Sequence, residues 1–358
     1  MISFLRWFGR VVFALLVVVL LAGIYVAVQF EDWKKGRLAE LDAGSKIVAT
    51  AAGDVEYAER GAGPPVLVIH GAPGGYDQAL LIGDTLAKDG FRVIAPSRPG
   101  FLRTPFTTGF LFEDQADALA ALLDTLQVPR VAVLGFSTGS PVAVQFALRH
   151  PDRTSALALL SPVAVIYDRA FPHEPSPLLS EAALLNTTGD MGSWFFLEQM
   201  RRDPRWMLDA TFSVDTDLGP AARGRLVDFV LGNPSQLTFL RGLLNSQAPL
   251  SLRESGTRND ILQLRRMSPV PYDKLTVPTL VVTGSADGGR KWVDPKAITT
   301  ALPSARTLAV ADAGHLVWFG PNAAAAQQAV VDFLKAPPPL PTPTPPPASS
   351  PTPASPAP

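Results

Sequence analysis

The longest apolar run lies near the start of the chain. Residues 11–28, VVFALLVVVLLAGIYVAV, carry no charge, and Gln29-Phe30 extend the run. A helix of this length can cross a bilayer. Arg6 and Arg10 precede it, and Trp7, Tyr25 and Trp33 stand near the two expected interfaces. The competing reading is a cleaved signal peptide, but its apolar region is normally shorter and no small-x-small cleavage site follows here. Leu20-Leu21-Ala22-Gly23 resembles the approach to a lipoprotein site, with Ile24 where the cysteine would stand. The pattern is read as a flank over 1–10, a membrane-spanning signal anchor over 11–30 and a linker over 31–45. A first helix this near the N-terminus commonly acts as a signal anchor, so the rest of the chain is expected outside the cytoplasm. Arg6 and Arg10 face Lys34, Lys35 and Arg37 across the span, which leaves charge a weak guide to orientation.

Beyond the linker the period changes. Residues 46–60 alternate as a hairpin does, with Gly53-Asp54 near its turn. Short apolar runs then recur at 66–70, 91–95, 130–135, 155–160, 278–283 and 305–311. Helical periodicity falls at 76–88, 112–126, 139–149 and 321–335. Strands alternating with helices predict an α/β fold, a mostly parallel twisted sheet with helices on both faces, over residues 46–335. Residues 163–275 interrupt the alternation with helix-like, aromatic-rich sequence. Trp194, Phe195, Phe196 and Trp206 are its candidates for an apolar substrate wall; for most such aromatics, packing the insertion onto the core is the plainer role. Arg201, Arg202 and Arg205 read as a solvated face. Residues 336–358 form a tail. Twelve of the last 22 residues are proline, so this stretch cannot build a core and is expected to be extended and disordered. A fragment of about residues 40–336 is therefore expected to be soluble.

Composition narrows the chemistry. The 358 residues carry a formal net charge of −1, which offers no basic surplus for nucleic acid. There is no cysteine, which excludes disulfides, thiolate metal sites and a cysteine nucleophile. The four histidines are dispersed without metal-ligand spacing, so no metal site is expected.

The strand-like run Val131–Leu134 ends in Gly135-Phe136-Ser137-Thr138-Gly139, and a helical run follows. A G-x-S-x-G between strand and helix is the context of a nucleophile elbow, in which a strained turn lifts a serine hydroxyl clear of the sheet. A serine hydroxyl needs a base, and the base an orienting acid. His150 ends a helix, where it can cap carbonyls, and His173 lies in a proline-rich stretch. His315, in Asp312-Ala313-Gly314-His315 after a late strand, is placed to reach back to the elbow. Asp287, in Gly284-Ser285-Ala286-Asp287, ends the strand before it; Asp294 is the reserve. His70 begins His70-Gly71-Ala72-Pro73-Gly74-Gly75, a glycine-rich turn whose backbone N–H groups can converge on an oxyanion. The Ala72 and Thr138 N–H groups are the expected donors, with His70 fixing the loop.

HGAPGG, APSRPGF, GFSTGS, GSAD and AGH, in this order and each at a strand end, resemble the α/β-hydrolase superfamily over roughly residues 46–335. The resemblance implies Ser137 as nucleophile, Asp287 as acid and His315 as base, with the insertion at 163–275 as a helical cap. HGAPGG is similar to proline iminopeptidases and to many esterases, and APSRPGF resembles a bacterial branch more than the usual D-x-R-G-x-G. Members that dehalogenate or open epoxides carry an aspartate nucleophile, against which Ser137 argues. The expected activity is hydrolysis of a carboxylic ester or similar acyl substrate, a small molecule, without a cofactor. An iminopeptidase-like aminopeptidase is the alternative and would need a cap carboxylate for the substrate amine, Glu181 or Glu198. A non-catalytic binding protein on the same fold is the alternative of another class.

Overall fold

The apolar runs become the interior strands of one sheet. The computed structural model describes residues 2–163, 188–266, 270–287, 302 and 305–339. Among these residues the strands are β1 (Lys46–Thr50), β2 (Gly53–Arg60), β3 (Pro65–Ile69), β4 (Arg92–Pro96), β5 (Val131–Phe136), β6 (Thr154–Leu160), β7 (Thr279–Gly284) and β8 (Arg306–Val310). Their order across the sheet is β1-β2-β4-β3-β5-β6-β7-β8. β1 and β2 form the expected hairpin, and β2 pairs antiparallel with β4; every later pairing is parallel. Strands covered on both faces have to be apolar throughout, and all six residues of β5 are buried.

The helices of the sheet layers are α2 (Tyr76–Ile82), α3 (Asp84–Lys88), α4 (Phe112–Thr125) and α5 (Ser140–Arg149). The single helical run expected over 76–88 is divided at Gly83, where an added Cβ would meet Val93 Cγ1 at 2.7 Å. α4 and α5 bury Leu119, Leu122, Val142 and Phe146 in one core with Leu67, Val133 and Leu157. The opposite core joins Ala79 and Ile82 to Val68, Leu134, Val282 and Trp318.

Among the described residues the insertion is mostly helical, as the break in alternation predicts. α6 (Thr188–Arg202), α7 (Pro204–Asp215), α8 (Pro220–Leu231) and α9 (Pro234–Asn245) share a third core around Met207, Phe212, Val230 and Leu240. Proline in the first turn starts α7, α8 and α9, where its missing N–H costs nothing. α10 (Glu254–Arg266) returns the chain to the sheet, and α11 (Ala323–Lys335) covers its last strands.

The N-terminal helix departs from the expected boundaries. α1 runs from Ile2 to Ala43 without a break, so residues 31–43, read from sequence as linker, are helix. It is long and apolar enough to cross a membrane, with a mean hydropathy of 3.1 in its most apolar stretch. The reason for its continuation is one helical face. Phe30, Lys34, Arg37 and Leu41 recur at i, i+4, i+7 and i+11. Phe30, Arg37 and Leu41 are buried and Lys34 is partly so. Arg37 pairs with Asp77 and Glu40 and donates to the Ala248 and Asn245 carbonyls. The Leu41 carbonyl accepts from Tyr76 Oη at 2.8 Å. A fragment beginning at residue 40 discards Arg37 and Phe30. Although Arg253 still pairs with Asp77, such a fragment should be about 3 kcal/mol less stable than one beginning at residue 30, the lower end for removing one partner of a buried ion pair. Equal urea midpoints for the two fragments would refute this.

Candidate active site

The elbow forms as its glycines require. Ser137 adopts φ +51°, a conformation sustained only by its surroundings. At Gly135 an added Cβ would meet Ala143 Cβ at 2.6 Å, and at Gly139 it would collide with the His70 carbonyl oxygen. Both glycines are thus imposed by close backbone approach: one between strand and following helix, the other between the elbow and the end of β3.

The structure brings Ser137, His315 and Asp287 together. Ser137 Oγ lies 2.9 Å from His315 Nε2, and His315 Nδ1 lies 3.1 Å from Asp287 Oδ2. With the proton on Nδ1, the imidazole donates to Asp287 and accepts from the serine hydroxyl. The His315 ring lies 5.7 Å from that of Phe136. Its backbone is held on two sides, the carbonyl accepting from Ser161 Oγ at 2.6 Å and the N–H donating to the Asp215 carbonyl at 3.2 Å. Asp287 is buried and bridges to Thr216, so its loop is tied to the cap as well as to β7. Asp294 and His173 lie outside the described residues.

The glycine-rich turn abuts the serine. An added Cβ on Gly71 would meet Ser137 Cβ at 3.0 Å, which puts the neighbouring Ala72 beside the elbow. Thr138 is buried in the turn itself. His70 Nε2 accepts from the Arg98 N–H at 3.0 Å, which leaves Nδ1 protonated to face the Gly71 carbonyl at 2.7 Å. Burial, with the charge of Arg98 second, holds His70 well below the ordinary histidine value, so it is a neutral loop brace. His150 closes α5, its backbone N–H donating to the Phe146 carbonyl while its ring pairs with Asp117.

Three of the four cap aromatics stand at the surface. Phe195, Phe196 and Trp206 are 48%, 47% and 48% exposed, and Trp194 packs edge-on against Phe30 of α1. The aromatic cluster suggested an apolar wall, but helix phase decides which face each ring takes, and these rings point away from the cap's core.

Two groups that the sequence did not single out complete the site. Arg98, from APSRPGF, pairs through both nitrogens with Asp260 of α10 at 2.7 and 2.5 Å, and Thr138 Oγ1 donates to the same carboxylate at 2.7 Å. All three residues are buried. Asp215, the last residue of α7, accepts the Leu316 N–H at 2.9 Å. Burial raises its carboxyl to about 7, against the opposing charge of His315 and that N–H. Burial alone would lower His315, but the hydrogen bond and charge of Asp287, with the charge of Asp215, raise it above its ordinary value.

The raised Asp215 carboxyl makes stability depend on pH. Its value is about 7 in the folded chain against an ordinary 3.8, so it binds its proton more tightly when folded. The stability it confers is complete below about pH 4 and is lost as pH rises to about 7, at most roughly 4 kcal/mol. Asp215→Asn mimics the neutral form. It should therefore lose less stability than the parent between pH 5 and pH 8, measured by urea unfolding; parallel losses would refute the assignment.

With strand order and site geometry in hand, comparison with known proteins is direct. A family model for the alpha/beta hydrolase fold matches residues 64–320. The chain belongs to the α/β-hydrolase family. An uncharacterized hydrolase of Bacillus subtilis, YcgS, is 26% identical over 295 residues, covering 79% of this chain and 96% of that one. An alpha/beta hydrolase fold protein from Nakamurella multipartita is 30% identical with a TM-score of 0.71, over 81% of this chain and 99% of that one. An esterase from Exiguobacterium antarcticum shares the fold at 19% identity and a TM-score of 0.56, over 81% and 99% of the two chains.

Proposed function

We propose that the protein is a membrane-anchored serine hydrolase that cleaves a carboxylic ester or similar small acyl substrate. The observation that carries the reading is the continuous chain of contacts from Ser137 Oγ through the His315 ring to Asp287. His315 Nε2 takes the proton of Ser137 as the oxygen attacks the carbonyl carbon, and Asp287 holds the ring in the required tautomer and stabilises the imidazolium. The developing oxyanion is received by the backbone N–H groups of Ala72 and Thr138. The protonated His315 then returns its proton to the leaving alcohol. A water, activated by the same imidazole, hydrolyses the acyl-enzyme. The uncharged run of α1 serves as the anchor, with the catalytic domain outside the cytoplasm.

The aminopeptidase reading finds less support. A substrate amine needs a free carboxylate in the cap, and Glu198 is shared by Arg201 and Arg202, while Glu181 lies outside the described residues. A fluorophosphonate probe should label the full-length protein, and Ser137→Ala should abolish labelling; labelling that survives the substitution would sink the mechanism. A panel of p-nitrophenyl esters and aminoacyl anilides should show turnover of the esters. The value of kcat/KM should rise with pH as His315 loses its proton, with a midpoint above the ordinary histidine value. Asp215→Asn should move that midpoint down, because it removes a negative charge that favours the imidazolium. A flat profile between pH 5 and 9 would count against His315 as base.

A further inference from the structure

α1 and α6 run antiparallel, and their pairing leads from the catalytic domain into the apolar run. Lys34 Nζ meets Asp190 at 2.9 Å. One turn towards the N-terminus, the Phe30 ring lies 6.0 Å from that of Trp194. As the α1 partner falls from 34 to 30, the α6 partner rises from 190 to 194. The C-terminal half of α6 therefore descends beside the span.

The depth follows from helix geometry. A hydrocarbon core of about 30 Å takes about 20 helical residues. Residues 11–30 supply them, and the first charge after the run is Glu31. That puts the boundary near Phe30. Trp194 stands beside Phe30, and at 1.5 Å per residue the eight further residues of α6 to Arg202 add about 12 Å of helix. Descending beside the span from that level, the end of α6 and the turn into α7 reach the depth of about 5–10 Å at which interfacial helices rest.

The chemistry of that corner suits the depth. Phe195, Phe196 and Trp206 are its exposed large apolar side chains. Arg201 and Arg202 share Glu198, and Arg205 meets Asp228 at 2.6 Å, so the cations are largely compensated and their long stems can reach up to the headgroups. Aromatic rings of this kind favour the membrane–water interface. We propose that the α6–α7 corner of the cap is a bilayer-docking surface, in which Phe195, Phe196 and Trp206 enter the same leaflet that α1 enters and seat the cap on the membrane. The inference rests on the anchor reading of α1.

The absence of cysteine makes the test direct, because one introduced thiol reports one place. Val18→Cys, Phe196→Cys, Trp206→Cys and Thr125→Cys, the last at the exposed final residue of α4, are each made in the full chain. Each is labelled with an NBD fluorophore and reconstituted in phosphatidylcholine vesicles. Lipid carrying a doxyl quencher high on its acyl chain should extinguish emission at 196 and 206 but not at 125. A deep doxyl group should extinguish emission at 18. Quenching at 18 with emission at 196 and 206 as unaffected as at 125 overturns the docking surface and leaves the anchor standing. Emission unquenched at 18 overturns the anchor and the docking surface together. The readout is independent of catalytic activity.

Discussion

Ser137→Ala and His315→Ala should each lower kcat on the order of 10⁶-fold, and combining them should cost little more. The reason is the linear arrangement of the site. Ser137 Oγ and Asp287 Oδ2 contact opposite nitrogens of one imidazole, at 2.9 and 3.1 Å. A nucleophile without its base, or a base without its nucleophile, performs the same missing step, so the losses are not additive. Asp287→Asn differs in kind. An amide in that place can present N–H to Nδ1 and so favour the tautomer that cannot accept from serine, a loss of about 10⁴-fold. Single-turnover and steady-state rates on a p-nitrophenyl ester would measure all four variants. Near-parental turnover in Asp287→Asn would remove that residue from the mechanism. A double variant worse by the product of the single losses would mean the two residues do not act as one unit.

What the sequence disclosed, it disclosed through period and backbone constraint. The interior strands were legible because a strand buried on both faces is largely apolar: β3 and β5 are so throughout, and β7 over Leu280–Val282. The elbow was legible because Gly135 and Gly139 stand where backbones meet, and that constraint leaves a local signature. The end of the span was less legible. Residues 31–43 are rich in charge, which reads as linker, yet Arg37 and Leu41 are buried by partners in α2 and the cap that lie far away in sequence. The same limit hid Asp215 and Asp260. Each is an ordinary helix aspartate until tertiary packing sets it against His315 or Arg98, and no local pattern encodes that encounter. The cap aromatics show the reverse case. Their composition is conspicuous in sequence, but the face each occupies is decided by how α6 lies against α1 and the cap core.

Breaking the Arg98–Asp260 pair should damage stability and catalysis by separable routes. Arg98 is fully buried, donates through Nε to the His70 carbonyl at 3.1 Å, and pairs with a carboxylate that also receives Thr138 Oγ1. The network thus joins the two backbone segments whose N–H groups are proposed to receive the oxyanion. Asp260→Ala leaves a buried guanidinium without its counter-charge, which should cost about 3–5 kcal/mol in urea unfolding. Replacing both partners with apolar residues, Arg98→Met with Asp260→Leu, should restore much of that stability, because it removes the stranded charge. It should not restore turnover. Thr138 would still lack the acceptor that fixes the turn, and displacement of one oxyanion donor costs roughly 10²–10³-fold in kcat. Since the donors act on charge that develops only in the transition state, KM should change little. A stable double variant with parental kcat would show that the pair only holds α10 to the sheet. A stable double variant with low kcat and unchanged KM would identify Arg98 and Asp260 as positioning residues for the oxyanion site.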